Sequence, residues 1–207
     1  MVLAGGRGQR MGGTDKGLQP YRGTPLALHA LERLRQQTSG APGYLLINAN
    51  RNLDVYATWG ADLCSDALEG FAGPLAGVLA GMRQCSPNQP YLLTVPCDSP
   101  RFPLDLLQRL AEAMHREDAD IAMALGPDTE SAPTTATPPL RRQPVFCLYQ
   151  THLADSLAAF LQSGQRKIDA WTSQHKIVEV PFDLSTDDVR AFANANTLAE
   201  LQDLEIR

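Results

Sequence analysis

Apolar positions in this chain fall into two periods. Short, nearly continuous apolar runs at Val2 to Ala4, Tyr44 to Ile47, Tyr91 to Val95, Ile121 to Leu125 and Val145 to Tyr149 read as strands, and those runs mark a sheet covered on both faces. Brief strands are expected at Asp62 to Cys64 and, as an edge, at Ile177 to Val180. Between them the period lengthens to that of a helix. Leu28, Leu31 and Leu34 follow Thr24 as cap and Pro25 at the first helical position, predicting a helix to about Gln37. A short helix is expected near Leu53 to Trp59, and Gly73-Pro74 opens another to about Gln84. Leu104, Leu107, Leu110 and Met114 stripe a helix from Pro103 to Arg116. Two more cover Leu153 to Gln162 and the stretch to about Ser173, and Thr197 with Glu200 forms a capping box before a terminal helix. Strands alternating with helices predict an α/β fold. Gly126 to Arg142, with four prolines and four threonines, reads as a mobile loop longer than most ordered connections. There are no internal repeats and no heptads.

The chemistry concentrates directly after the first strand. Five glycines at positions 5, 6, 8, 12 and 13 are interleaved with Arg7, Arg10 and Lys16. Glycine lets the backbone approach a ligand without a Cβ in the way, and exposed N–H groups in such a turn make a concavity for phosphate oxygens. The three cations complete a cradle for a polyphosphate. Two familiar phosphate loops do not fit. The dinucleotide fingerprint would need glycine where Met11 stands, and the P-loop would need lysine two places before Lys16.

Three later strand ends carry polar residues, at the carboxyl edge where open α/β sheets bind ligands. Asn48 ends the second strand and can be read as a ligand contact or an asparagine turn. Asp66 follows the brief third strand. Gly73, Ala76 and Gly77 bring the first turn of the next helix close to a base or ribose, or serve tight helix packing. Asp98, between Pro96 and Pro100, is placed to hold Mg²⁺, which takes one or two carboxylates and completes its octahedron with water and phosphate. Alone it could be a helix cap; with the glycine segment, metal binding is favoured. This reading requires Lys16 and Asp98 to lie on the same side of the sheet.

Composition narrows the partner. The 207 residues are 43% hydrophobic, enough for a single domain with a real core. A net charge of −5 argues against nucleic acid as the main partner. Residues 1 to 60 nevertheless hold seven Lys or Arg against three acids, leaving the remainder at −9, a distribution suited to a small anionic substrate. No apolar run approaches the ~20 residues of a membrane span, and the start lacks a basic n-region and a long h-region, so it does not read as a secretory signal. Cys64, Cys85, Cys97 and Cys147 lack C-x-x-C spacing and read as reduced core residues of a cytoplasmic protein. The four histidines, at 29, 115, 152 and 175, are scattered and read as surface or core residues. A central strand limited to Val2 to Ala4 is short against about five or six residues, predicting a natural chain that begins upstream.

The motifs together resemble the molybdenum cofactor guanylyltransferases. The pattern L-A-G-G…R-M-G-G…D-K-G-L stands at Leu3 to Leu18, N-A-N-R at Asn48 to Arg51, G-P-L-A-G at Gly73 to Gly77, P-C-D-x-P at Pro96 to Pro100, and Q-P-x-x-x-L-Y at Gln143 to Tyr149. N-A-N-T at Asn194 to Thr197 lacks the proline that usually follows. The resemblance covers most of the chain. It implies a three-layer Rossmann-like nucleotidyltransferase fold over residues 1–207, with a mostly parallel sheet, one antiparallel strand and helices on both faces. Residues 1–100 would be the nucleotide-binding half and 101–207 the acceptor-binding half.

The implied activity is transfer of GMP from GTP to molybdopterin or its molybdenum-bound form, with Mg²⁺ as cofactor. Molybdenum-insertion proteins and recipient molybdoenzymes are implied partners, with no nucleic acid and no membrane. Arg10, Lys16 and Asp98 would be catalytic, and Asp98 the metal ligand. Leu3, Ala4, Gly5, Gly6, Gly13, Lys16, Asn48, Asp66, Gly77 and Asp98 would bind nucleotide. Gln143, Arg166, Asn194 and Asn196 would face the acceptor. A substrate phosphate is already a nucleophile, so no general base is needed and none is visible; alignment and charge neutralisation suffice. Open alternatives are a cytidylyltransferase, a sugar-phosphate nucleotidylyltransferase, and a GTP-binding regulatory module without turnover.

Overall fold

The computed structural model describes residues 1–4, 15–38, 40–66, 73–128 and 138–206, the side chain of Leu198 excepted. In chain order the elements are β1 (Val2–Leu3), β2 (Pro20–Tyr21), β3 (Thr24–Pro25), α1 (Leu26–Arg35), β4 (Leu46–Asn48), α2 (Leu53–Tyr56), β5 (Asp62–Cys64), α3 (Pro74–Gln84), β6 (Tyr91–Pro96), α4 (Leu106–Glu117), β7 (Ile121–Pro127), β8 (Leu140–Gln150), α5 (Ala154–Gln162), α6 (Ile168–Thr172), β9 (Ile177–Pro181) and α7 (Leu198–Ile206). Seven strands form one sheet in the order β5-β4-β1-β6-β8-β7-β9, and β2 pairs with β3 as a separate hairpin. β8 runs antiparallel to both neighbours, β6 and β7. The remaining sheet pairings are parallel. The expected fold class is therefore the observed one.

Strand residues alternate between two apolar faces, as the two-residue period of a pleated strand demands. Val2, Ile47, Leu93, Val95, Ala122, Ala124, Phe146 and Leu148 face α1 and α4. Leu46, Leu92, Ile121, Met123, Cys147 and Tyr149 face α3, α5 and α6. Helices on both faces explain why the central strands read as continuous apolar runs. The largest fully buried side chain, Trp171 of α6, would cost about 3–5 kcal/mol if truncated to alanine. A smaller third cluster, Tyr21, Leu26, Ala195, Leu201 and Leu204, docks the hairpin against α7. No helix among the described residues is long and apolar enough to cross a membrane.

Several local expectations are corrected. Thr24 and Pro25 do not cap and open α1; they form β3, and α1 begins at Leu26 without a side-chain cap. The cause is the preceding turn, where Arg22 and Gly23 both adopt positive φ (49° and 79°), the geometry that closes a two-residue hairpin. The expected loop from Gly126 to Arg142 is shortened from both ends: Gly126 pairs with Arg141 and Pro127 with Leu140. Its residues 129–137 lie outside the described residues. α4 starts at Leu106, three residues later than expected. The α3 boundaries, with Gly73 before Pro74, and the Thr197–Glu200 capping box appear as expected: Glu200 N–H donates to Thr197 Oγ1 at 3.2 Å, and Glu200 Oε2 accepts from Thr197 N at 3.2 Å.

Candidate active site

Four parallel strands, β5, β4, β1 and β6, present their carboxyl ends along one edge. The registers Leu3–Asn48, Leu3–Pro96 and Asn48–Cys64 align those ends. Polar residues that follow each apolar run therefore gather on one rim.

At the β6 end, Lys16 meets Asp98. Lys16 sits in a single 3-10 turn, Lys16–Leu18. Its ammonium lies 2.5 Å from Asp98 Oδ2, with both side chains largely enclosed. The same ammonium donates to Asn196 Oδ1 at 2.9 Å. The condition set by the sequence is met: the pair shares one side of the sheet. Asn196 is delivered by the segment before α7, whose Ala195 N–H donates to the Asp98 carbonyl at 2.9 Å. Beside it, the fully buried Ser99 hydroxyl donates to Asn194 Oδ1 at 2.5 Å. Both amides thus have their oxygen ends engaged by this cluster. Next to Asp98, burial drives the Cys97 thiol far up from its ordinary value; the Asp98 charge adds to the rise and Lys16 opposes it.

A second polar cluster stands at the ends of β4 and β5. Asn48 Nδ2 donates to Asp66 Oδ1 at 3.0 Å and Asn50 Nδ2 to Asp66 Oδ2 at 2.9 Å, while Asp66 N–H returns a bond to Asn50 Oδ1 at 2.9 Å. Asn48 is nearly buried because α3 lies directly against it. A Cβ on Gly77 would stand 2.8 Å from Asn48 Cγ and 2.8 Å from Leu3 Cδ2, so glycine is required for this approach. Ala4 completes the rim, its N–H bonded to the Asn48 carbonyl at 2.8 Å.

The expected site residues divide accordingly. Lys16, Asp98, Asn196 and Asn194 gather at β6, and Leu3, Ala4, Asn48, Asp66 and Gly77 at β1, β4 and β5. Gly5, Gly6, Arg10 and Gly13 lie outside the described residues. Gln143 is buried on β8 and gives its amide to the Arg141 carbonyl at 3.4 Å. Arg166 is exposed in the turn between α5 and α6.

Three residues of the site escaped the sequence reading: Asp15, Asn50 and Ser99. Asp15 was legible as an acid two residues before a glycine, the spacing of a side chain that caps its own turn. Asn50 shared the strand-end position of Asn48. Ser99 carried no sequence signal beyond its neighbourhood.

A metal held by protein alone has no candidate among the described residues, where no group of three His, Cys, Asp or Glu is found. A divalent ion carried in with a polyphosphate has other needs: one or two carboxylates, with phosphate and water supplying the rest. Asp98, a single carboxylate at a strand end beside a cation, fits that second case. Among the described residues, what the rim offers chemically is one cation, Lys16, beside one carboxylate, Asp98, with side-chain amides close by.

A family model described as the MobA-like NTP transferase domain matches residues 1–178. The molybdenum cofactor guanylyltransferase of Bordetella petrii is 57% identical, the match covering 99% of this chain and 95% of that one. The protein of the same name from Albidiferax ferrireducens is 55% identical over 99% and 94%. Among solved structures, molybdopterin-guanine dinucleotide biosynthesis protein A from Archaeoglobus fulgidus superposes with a TM-score of 0.75 at 20% identity, covering 99% and 95% of the two chains. 4-Diphosphocytidyl-2C-methyl-D-erythritolsynthase from Anaerococcus prevotii gives 0.71 at 10% identity, covering 99% and 94%. At such identities these two likenesses concern the fold alone.

Proposed function

The chain belongs to the MobA-like NTP transferase family, and from that premise we propose that it transfers GMP from GTP to molybdopterin or its molybdenum-bound form. An acceptor phosphate oxygen attacks the α-phosphorus of GTP, the bond from α-phosphorus to the bridging oxygen breaks, and the products are molybdopterin guanine dinucleotide and pyrophosphate. The observation that carries the reading is the Lys16–Asp98–Asn196 cluster, in a chain more than half identical to relatives named for this activity.

Each residue has a role the reaction needs. Lys16 donates to triphosphate oxygens and offsets charge building on the leaving group. Arg10, with Gly5, Gly6 and Gly13, would line the same cradle. Leu3, Ala4, Asn48, Asp66 and Gly77 would hold the nucleoside. Asp98 would hold Mg²⁺, which when bound supplies further charge neutralisation on the phosphates. Asn194 and Asn196, with Gln143 and Arg166, would orient the acceptor. This assigns nucleotide to residues 1–100 and acceptor to 101–207, and the Lys16–Asn196 bond joins the two halves. All four cysteines are free, in keeping with a reducing cytoplasmic setting. Handover would go through molybdenum-insertion proteins to recipient molybdoenzymes.

The test is pyrophosphate release with molybdopterin and Mg²⁺ present, each NTP supplied in turn. GTP is expected to be turned over well ahead of CTP. A preference for CTP would make the chain a cytidylyltransferase, release only with a sugar phosphate would change the acceptor, and GTP binding without release would make it a binding module.

A further inference from the structure

Asp15 is a buried acid with no part in the reading above, and its surroundings are unusually specific. It is 8% exposed and caps the Lys16–Leu18 turn by accepting from Gly17 N–H at 3.0 Å. The same oxygen accepts from the Tyr56 hydroxyl at 2.9 Å, and the other accepts from Asn52 Nδ2 at 2.8 Å. Two of the three donors belong to the start and end of α2, 37 and 41 residues along the chain.

The donors are themselves held in place. Asn52 adopts a left-handed backbone, φ 51° and ψ 37°, which costs energy for any residue with a Cβ. Its amide bond to Asp15 helps to offset that cost. Tyr56 is fully buried and packs edge-on against Trp59, ring centroids 4.9 Å apart. Burial, then the neighbouring Asp15 charge, pushes its hydroxyl far above the ordinary range, so it stays a donor. Gly17 leaves no room for a Cβ, which would run into the Tyr56 hydroxyl. A buried carboxylate costs several kcal/mol unless hydrogen bonds satisfy it; here three do.

From this geometry we infer that Asp15 is a positioning residue for Lys16, clamping the lysine turn onto α2 so that its ammonium is presented at Asp98 rather than swinging free. The inference rests on the proposed transfer reaction. An unanchored lysine on four rotatable bonds must be ordered at each turnover, whereas a short turn fixed at Asp15 and Gly17 presents it already aligned. Because α2 follows directly from the strand that carries Asn48, the clamp also ties Lys16 to the nucleoside end of the rim.

The experiment measures single-turnover guanylyl transfer for the wild type, Asp15→Ala, Tyr56→Phe, Lys16→Ala and the double variant Asp15→Ala/Lys16→Ala, each checked for folding by thermal unfolding. Asp15→Ala is expected to slow transfer by about tenfold or more in the presence of Lys16 and by less than about twofold in its absence, since it acts through that residue. Tyr56→Phe, which keeps the ring and removes one donor, should fall between Asp15→Ala and the wild type. Asp15→Asn is the conservative rescue: with the Asn52 amide turned over, all three bonds can re-form, and most activity should return. Folded Asp15→Ala or Tyr56→Phe protein with the wild-type rate overturns the inference, as do losses from Asp15→Ala and Lys16→Ala that multiply in the double variant. Should Asp15→Ala fail to fold, Tyr56→Phe decides. A wild type without transfer sinks the functional reading instead, a result distinct from either.

Discussion

Replacing Gly77 with alanine probes the closest approach in the site. The new methyl would stand 2.8 Å from both Asn48 Cγ and Leu3 Cδ2, against about 3.5–4.0 Å for ordinary carbon contacts. Neither neighbour can retreat freely: Asn48 is bonded to Asp66 at 3.0 Å and is 3% exposed, and Leu3 lies in the central strand. Overpacking of this kind costs about 1–3 kcal/mol. Glycine to alanine within a helix returns about 0.5–1 kcal/mol. The net expectation is a loss of roughly 0–2.5 kcal/mol, each kilocalorie lowering Tm by about 2–4 °C at this size. The larger effect should fall on the nucleotide, because relief comes from moving the Asn48 carboxamide. KM for GTP is expected to rise by about fivefold or more, roughly 1 kcal/mol of binding. Gly81→Ala on the same helix is the control. Its methyl meets the Met1 side chain, whose Sδ would be 2.5 Å and Cε 2.8 Å away, a flexible thioether able to turn aside. Thermal unfolding and steady-state kinetics on both variants decide the matter. Gly77→Ala with wild-type Tm and wild-type KM would show that neither the close contact nor Asn48 matters as argued.

Other predictions follow from groups in the rest of the fold. Burial, with Arg33 beside one of them, holds both His29 and His175 below their ordinary value of 6.5; the unfolded chain therefore binds more protons below that pH, and Tm should fall from pH 7 towards 5 and flatten when both are changed to glutamine. Glu200→Ala removes the acceptor for Asn196 N–H at 2.6 Å and Thr197 N–H at 3.2 Å; a cost of about 0.5–2 kcal/mol is expected, with faster amide exchange across 196–204. Burial raises the Cys64 thiol to about 11 and Cys147 to about 12 and drives Cys97 higher still. In the native protein the half-buried Cys85 should react first with a thiol reagent, the others only on unfolding.

Much of the scaffold was legible because apolar period and turn chemistry agreed. Gly73-Pro74 placed α3, and the apolar run before Asp98 placed β6 and thus the rim. Where a backbone state overrode the residue pattern, legibility ended. Thr24-Pro25 reads as a helix start until Arg22 takes positive φ, and nothing in arginine announces that. The ends of the Pro/Thr-rich stretch read as loop because their partners, Leu125 to Pro127 against Leu140 to Arg142, are defined by pairing across the hairpin. Within the site, Lys16 and Asp98 could be named from their own loops. Ser99 could not, since what marks it is Asn194, far along the chain; the spacing of Asp15 to Gly17 announces a turn cap but not the bonds to Asn52 and Tyr56.

The central claim is that Lys16 and Asp98 together form the centre at which GTP is split. The direct measurement follows GTP labelled at the α-phosphate into molybdopterin guanine dinucleotide, with wild-type protein and with folded Lys16→Ala and Asp98→Ala variants. Label is expected in the dinucleotide for the wild type, with transfer slowed by at least about tenfold, roughly 1.4 kcal/mol of barrier, in each variant. Transfer at the wild-type rate by either variant would contradict it.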